Sequence, residues 1–234
     1  MIDLTPLDGL ADALGVDRGE LISLVGGGGK TTTLFTLARQ MSGTAVLTTT
    51  TKMGSEQTGE FPVLIGPSDD ELRVRLKTDP RVLAWKNVDD RRAVGVDAPT
   101  CDRWFDIADN VVVEADGSRK RPFKAPLQYE PVIPTRTTLL VACIGARALG
   151  VPIDVSCHRP ERVAELLGCS VTDKLTPQRA AQVLLSSEGS RKDLPTHSRF
   201  VVALHRVTPA DQRHADELAS LLGDKADLVA VAAT

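Results

Sequence analysis

The sequence predicts a three-layer α/β fold, in which helices cover both faces of a mainly parallel sheet. Short apolar runs typical of strands buried on both faces alternate with segments of helical character, which is the pattern of a parallel sheet. The 234 residues, with 42% hydrophobic composition, can bury a full core. No repeat or low-complexity linker divides the chain. We therefore expect a single domain over residues 1–234, with residues 1–19 as an N-terminal helical extension.

The predicted strands are apolar runs bounded by glycine, proline or polar turns. They cover residues 21–25, 44–49, 62–65, 110–115, 139–144, 199–204 and 228–232. Residues 83–85 and 93–96 predict a hairpin across the polar segment 87–92.

The predicted helices have capping residues or prolines near their first turns. They cover residues 31–40, 68–77, 98–107, 160–167, 177–185 and 209–222. Ser68 is the expected N-cap of the second helix, since acidic residues fill the turn that follows it. Residues 117–134 contain too many glycine, proline and arginine residues for regular structure, so we predict an ordered functional loop there.

Charge and hydrophobic composition indicate which kinds of binding partner are disfavoured. A formal net charge of -3 with 25% charged residues gives no basic excess to hold nucleic acid or anionic lipid. The N-terminus is acidic where a secretory signal would be basic, and no apolar run approaches the roughly 20 residues that span a bilayer. We therefore expect a cytoplasmic protein without nucleic-acid or membrane partners. Its four dispersed cysteines favour reduced thiols.

Residues 25–32 read Val-Gly-Gly-Gly-Gly-Lys-Thr-Thr, between a buried strand and a helix. In a P-loop, glycine N–H groups and the helix dipole bind phosphate, which here assigns Gly26, Gly27, Gly28 and Gly29 to a nucleotide. Lys30 would reach the β- and γ-phosphates, Thr31 would bind Mg²⁺, and Thr32 would complete the loop. Leu24 stands where the first motif glycine is expected. The sequence predicts a P-loop NTPase-like fold that binds ATP or GTP with Mg²⁺; the alternative is a flexible turn with a solvated lysine.

Strand 110–115 leads into Glu114-Ala115-Asp116-Gly117. Strand alternation puts Glu114 and Asp116 on the same side, where both can face the phosphate loop. We expect Asp116 to hold the metal with Thr31, Glu114 to position water or substrate, and Lys30 to neutralise phosphate charge. The alternative is an ordinary strand that ends in a polar turn.

Further polar side chains flank this site and could hold extra phosphate or an anionic substrate. These candidates are Thr49, Thr50, Thr51, Lys52, Arg119, Arg121, Lys124 and Arg159. A solvated charge run and a polar turn are the alternatives. A metal site at Cys157, His158 and Cys169 is disfavoured, because their spacing is not that of a closed site.

Three motifs together resemble the accessory proteins of selenium-dependent molybdenum hydroxylases: the Gly-Gly-Gly-Gly-Lys-Thr-Thr loop, Thr-Thr-Thr-Thr-Lys-Met, and Val-Glu-Ala-Asp-Gly-Ser-Arg-Lys-Arg-Pro-Phe-Lys-Ala-Pro. Glu130-Pro131-Val132-Ile133-Pro134 and His158-Arg159-Pro160-Glu161 strengthen the resemblance, which covers about residues 20 to 205. It implies a P-loop fold related to metal-insertion GTPases and small-molecule kinases. Related proteins end a late strand with an Asn-Lys-x-Asp motif that reads guanine, whereas this chain has Leu204-His205-Arg206-Val207-Thr208. The base therefore stays open.

The resemblance implies a Mg²⁺- and NTP-dependent accessory protein that helps to mature a selenium-dependent molybdenum hydroxylase or its cofactor, with that enzyme or its cofactor-synthesis machinery as partner. One alternative is a small-molecule kinase that transfers the γ-phosphate to an anionic acceptor. Another is a non-catalytic, nucleotide-gated scaffold whose loops 48–53 and 117–134 reorder to bind a hydroxylase.

Overall fold

The computed structural model describes residues 1–233. Its strands are β1 (Leu4–Thr5), β2 (Leu21–Gly26), β3 (Ala45–Thr49), β4 (Lys52–Gly54), β5 (Val63–Ile65), β6 (Arg81–Trp85), β7 (Asn87–Asp89), β8 (Arg92–Val94), β9 (Asn110–Glu114), β10 (Phe123–Lys124), β11 (Leu139–Gly145), β12 (Cys157–His158), β13 (Arg199–Val207) and β14 (Asp227–Ala232). Its α-helices are α1 (Leu10–Ala13), α2 (Lys30–Gln40), α3 (Asp69–Thr78), α4 (Ala98–Trp104), α5 (Ile153–Ser156), α6 (Pro160–Leu167), α7 (Pro177–Leu185) and α8 (Gln212–Leu222).

Nine strands form one sheet in the order β1-β14-β13-β11-β2-β9-β3-β6-β5, and every neighbouring pair in it is parallel. The centre of the sheet is buried on both faces, since residues alternate between two hydrophobic clusters. Val111 and Val113 belong to one cluster, whereas Val112 belongs to the other with Leu34 of α2. The predicted α/β class with a mainly parallel sheet between helices is confirmed.

Most predicted elements match the observed ones within one or two residues, and Ser68 caps α3 through a reciprocal pair of hydrogen bonds with Glu71. The predicted hairpin is wrong. β6 joins the main sheet because its residues 82–85 are buried and its chain pairs with β3, and the hairpin is instead formed by β7 and β8. β4 pairs with β8, so a small antiparallel sheet (β4, β8, β7) stands apart from the main one.

Three other segments differ from expectation. α4 ends at Trp104, earlier than predicted, and the last helix starts as a 3-10 turn at Pro209–Asp211. Residues 1–19, predicted as a helical extension, contain the strand β1, a 3-10 turn and the single turn of α1, and Leu10 and Leu14 pack in the core. None of the helices between residues 1 and 233 has the length and apolarity needed to cross a membrane.

The loop 117–134 is tied down at two places. Its strand β10 pairs with β12, which places Lys124 opposite His158. The N–H of Val132 donates to the carbonyl of Ala115, just after β9. These contacts hold the loop over the carboxyl ends of the central strands, the edge where open parallel sheets bind ligands.

Candidate functional site

The glycine-rich loop, residues 25–32, connects β2 to the first turn of α2. Two of its glycines are in close contact with other segments. A Cβ at Gly27 would overlap the carbonyl of Pro122, and a Cβ at Gly29, where φ is 108°, would overlap the imidazole of His205. Because no larger residue fits either position, packing requires glycine at both, and at Gly29 the positive φ requires it as well.

The N–H groups of this loop fall into two sets. That of Gly26 donates to both carboxylate oxygens of Asp116, at 3.1 and 3.0 Å. Those of Gly27 and Gly28 donate to the carbonyls of neighbouring segments, at 2.7 and 3.1 Å. Within the described part of the chain, the N–H groups of residues 29–32 have no protein acceptor, as is usual at the start of a helix. The N–H groups left free for a ligand thus belong to Gly29 and the first turn of α2, whereas those of Gly26, Gly27 and Gly28 bind other parts of the protein.

Asp116 lies at the centre of a buried charge cluster. Its Oδ1 is 3.1 Å from Lys30 Nζ and its Oδ2 is 3.1 Å from Lys124 Nζ, and all three side chains are at most 2% exposed. Lys30 also donates to the carbonyl of Gly26 at 2.5 Å. Burial by itself would lower the pKa of Lys30, but attraction to Asp116 and Glu114 outweighs it and the pKa lies above its ordinary value. Asp116 therefore binds the glycine-rich loop at two points, the N–H of Gly26 and the ammonium of Lys30.

Glu114 is the carboxylate that faces the helix start. The hydroxyl of Thr31 donates to Glu114 Oε2 at 3.0 Å, and both residues line the same cleft. The sequence predicts that Asp116 shares a metal with Thr31, but the structure places Glu114 there and turns Asp116 toward the two lysines. Burial raises the pKa of Glu114, an effect opposed by Lys30 and by the hydrogen bond from Thr31.

The charge cluster extends into the loop 117–134. Lys124 donates to Glu130 Oε1 and to the carbonyl of Gly117, both at 2.8 Å. Glu130 is also paired with Arg159. Burial lowers the pKa of Lys124 to about 8 against the opposing effect of Asp116, so this lysine keeps its charge at neutral pH. Lys124 is thus buried beneath the cleft, where its contacts are with carboxylates of the protein.

A cleft of about 1330 Å³ opens above these residues, at the carboxyl ends of the strands. Of the predicted site residues, it brings together the loop from Gly27 to Thr32, Glu114, Thr51, Lys52, Arg119 and Arg159.

Four predicted substrate ligands lie outside the cleft: the buried Lys124, Thr49, Thr50 and Arg121. The Thr49 hydroxyl donates to the carbonyl of Glu114 at 2.7 Å, and the Thr50 hydroxyl donates to that of Val132 at 2.8 Å. Arg121 turns away and donates to the carbonyl of Val155. These hydrogen bonds join the end of β3 to β9 and to the loop 117–134, so both hydroxyls already have partners within the protein.

Sequence reasoning missed His205. It lies near the carboxyl end of the parallel β13, is 4% exposed, and its Nε2 lies 3.0 Å from the hydroxyl of Thr33. Burial lowers its pKa to about 4, so the ring is neutral at pH 7. Its contact with Gly29 supports the glycine-rich loop from below. The sequence shows only a histidine at a strand end, and nothing local connects it to a loop so distant along the chain.

No set of three or more His, Cys, Asp or Glu side chains in residues 1–233 is arranged to hold a metal ion. Cys157 is buried with a pKa raised by that burial to about 11, which disfavours the thiolate form that metals bind. His158 lines the cleft instead.

Comparison with known proteins gives the same family twice. The family model described as YqeC protein matches residues 22–161, more than half of the chain. The chain belongs to the YqeC family. A curated relative, "Uncharacterized protein YqeC" of Escherichia coli (strain K12), is 31% identical over 208 residues, which are 83% of this chain and 78% of the relative. No solved structure matches. The region shared with the YqeC model contains the glycine-rich loop, Glu114, Asp116 and Arg159, whereas His205 lies beyond it.

Proposed function

We propose that this YqeC-family protein binds and hydrolyses a nucleoside triphosphate with Mg²⁺ in the cleft above the glycine-rich loop. The observation that carries the proposal is the arrangement at the start of α2. There, N–H groups without protein acceptors, the Lys30 ammonium and the Thr31–Glu114 pair converge on one part of the cleft. A helix start with a lysine and a hydroxyl at these positions suits phosphate with a metal ion.

The residues present fit Mg²⁺. This ion favours oxygen ligands, keeps several waters, and is usually held by one or two carboxylates together with substrate phosphates. The Thr31 hydroxyl and the Glu114 carboxylate, 3.0 Å apart, supply such oxygens at the cleft wall. We therefore assign the metal to Thr31 and Glu114 in place of Thr31 and Asp116. A bound Mg²⁺ would neutralise charge on the phosphates and help to orient the attacking water.

The other residues of the site position the start of α2 and supply positive charge for the phosphates. Lys30 supplies the cation for the β- and γ-phosphates, and Asp116 keeps that lysine charged and directed along the loop. Gly29, whose positive φ glycine adopts without strain, packs against His205 and sets the direction of the helix start. Turnover of this kind requires positioning and electrostatics more than covalent chemistry from the protein.

The test is calorimetric titration of ATP, GTP and CTP with Mg²⁺, preceded by a thermal-shift screen of the same three. A binder raises the melting temperature by mass action. Lys30→Ala should weaken binding at least tenfold, whereas Lys77→Ala, an exposed lysine on α3, should not. Phosphate release measured with the preferred nucleotide reports hydrolysis. No response to any of the three nucleotides would contradict the proposal.

We further propose that the bound nucleotide serves the maturation of a selenium-dependent molybdenum hydroxylase. The support is the resemblance carried by the motif from Glu114 to Pro126, together with residues 130–134 and 158–161. In a host that makes such a hydroxylase, deletion of the gene should abolish hydroxylase activity. The wild-type gene should restore activity and Lys30→Ala should not. Full activity in the deletion strain would contradict this role.

A small-molecule kinase is a second candidate, favoured by the charge of the cleft. Eight lysine or arginine residues line it against two carboxylates, Glu114 and Glu130, although the whole protein carries a net charge of -3. Such a local excess attracts an anionic acceptor. The two activities separate by kinetics, because a kinase releases the diphosphate rapidly only when an acceptor is present.

A further inference from the structure

Several lysine and arginine residues that line the cleft have an unfavourable backbone conformation. Seven non-glycine residues among those described have a positive φ, and four of them are lysine or arginine residues that line the cleft. These four are Arg119 (φ 49°), Lys120 (φ 62°), Arg159 (φ 57°) and Arg206 (φ 59°). A non-glycine residue in this conformation is strained, and such residues cluster at binding and catalytic sites. The other three are exposed acids outside the cleft: Glu60, Asp90 and Asp193.

Three of these four cations, Arg119, Lys120 and Arg206, have no carboxylate partner among residues 1–233. Lys30 is paired with Asp116 and Arg159 with Glu130. In contrast, no ion pair within residues 1–233 involves Arg119 or Lys120, and both are exposed. Their charge is therefore available to a ligand. Both residues are the central residues of a tight turn that is closed by a hydrogen bond from the N–H of Arg121 to the carbonyl of Ser118, and this turn presents them at the cleft.

These cations stand beside the glycine-rich loop on different segments. The loop that carries Arg119 and Lys120 contacts it through Pro122, whose carbonyl accepts from the N–H of Gly28 at 3.1 Å. Arg159 follows β12, which is paired with β10 of the same loop. A molecule bound by these side chains would lie next to a nucleotide without using the helix start.

An aromatic side chain completes this area. Tyr129, the only tyrosine of the chain, is 70% exposed, and its ring centroid is 5.8 Å from the guanidinium carbon of Arg159. An exposed ring that lines a cleft and packs on an arginine offers a flat surface for stacking. The cleft volume of about 1330 Å³ also exceeds the roughly 300–1,000 Å³ typical of a site for one ligand.

We propose that Arg119, Lys120 and Arg159 bind a second substrate, a phosphorylated small molecule with a planar ring that stacks on Tyr129, while the nucleotide occupies the helix start. The inference rests on the proposed function, since it names the class of molecule on which the bound nucleotide acts.

The experiment titrates phenyl phosphate and, separately, inorganic phosphate into protein saturated with Mg²⁺ and a non-hydrolysable analogue of the preferred nucleotide. Wild-type protein should bind phenyl phosphate more tightly than inorganic phosphate. Arg119→Ala and Lys120→Ala should each weaken phenyl phosphate at least fivefold and leave the affinity for the analogue within twofold. Arg121→Ala is the matched control, because that arginine belongs to the same loop but lies outside the cleft. Tyr129→Ala should remove the preference for phenyl phosphate over inorganic phosphate.

Three outcomes would overturn the inference: no binding of either phosphate to nucleotide-loaded protein, equal losses in Arg119→Ala and Arg121→Ala, or an equal loss of analogue affinity in Arg119→Ala. The last outcome would assign the cations to the nucleotide. The same titration on nucleotide-free Lys30→Ala protein keeps the two proposals separate. Phenyl phosphate should still bind there in an Arg119-dependent manner even if no nucleotide binds to wild-type protein.

Discussion

Removal of the charge of Asp116 should destabilise the whole protein. Asp116→Asn keeps the size of the side chain but leaves the Lys30 ammonium, 2% exposed, without the carboxylate that lies 3.1 Å away. Breaking a buried pair from one side costs about 3–5 kcal/mol, because the remaining charge is buried alone. Lys124 keeps Glu130 at 2.8 Å, so the loss should fall at the lower end, about 3 kcal/mol.

Urea denaturation, followed by circular dichroism, measures this loss. A loss of about 3 kcal/mol also corresponds to a fall of roughly 6–12 °C in Tm for a domain of this size. Asp89→Asn is the control: Asp89 pairs with Lys52 at 3.7 Å, but their side chains are 72% and 55% exposed, so its unfolding free energy should match wild type within error.

A double variant identifies the cause of the loss. If an unpaired buried charge is responsible, Asp116→Asn combined with Lys30→Met should be more stable than Asp116→Asn alone. If the double variant recovers nothing, the loss comes instead from the hydrogen bonds of Gly26 to the carboxylate. A loss below about 1 kcal/mol in Asp116→Asn would refute the argument that this cluster anchors the glycine-rich loop.

Three further predictions concern the cleft. Glu114→Gln should reduce at least tenfold the gain in nucleotide affinity that Mg²⁺ provides, measured calorimetrically with Mg²⁺ and with chelator; an unchanged gain would remove Glu114 from the metal site. Gly29→Ala should lower the unfolding free energy by at least about 2 kcal/mol, because a Cβ adds a clash with His205 to the strain of its positive φ. Gly19→Ala, with φ 80° and no neighbour within 4 Å, isolates the strain alone, and an equal cost in both variants would exclude the clash. Burial lowers the pKa of His205 from 6.5 to about 4, so the unfolded chain binds a proton in that range while the folded protein does not. The free energy of unfolding should therefore fall by about 3 kcal/mol as the pH drops from 6.5 to 4. In His205→Gln, the free energy of unfolding measured with urea should change less over this pH range. An unaltered pH profile would show that another group titrates.

The sequence was sufficient for features that depend on near neighbours along the chain. Ser68 and Glu71 satisfy each other's backbone groups within four residues, and Pro160 and Pro177 occupy first helical positions, so the starts of α3, α6 and α7 were predictable. Buried parallel strands were recognisable because both of their faces are apolar. The position of the glycine-rich loop followed from the same local logic.

Features that depend on partners far apart in the chain were not predictable. The alternation of β9 put Glu114 and Asp116 on one side but could not show which would face Thr31, because the N–H of Gly26 and two distant lysines draw Asp116 away. The sequence pattern of residues 83–85 is equally compatible with a strand of the main sheet and with a strand of a hairpin. Their pairing with β3 decided the matter.

The pairing of β1 with β14 constrains the order of assembly. It joins Leu4 to Ala230, so β1 can pair only after a segment far later in the chain has been synthesised. Closing so long a loop is slow, since its entropy cost precedes any contact. Leu7, just after β1, and Val231, within β14, both line the cleft, which cannot acquire that wall until the last strand has docked. During translation, the central strands can therefore collapse well before the chain has a complete binding cleft.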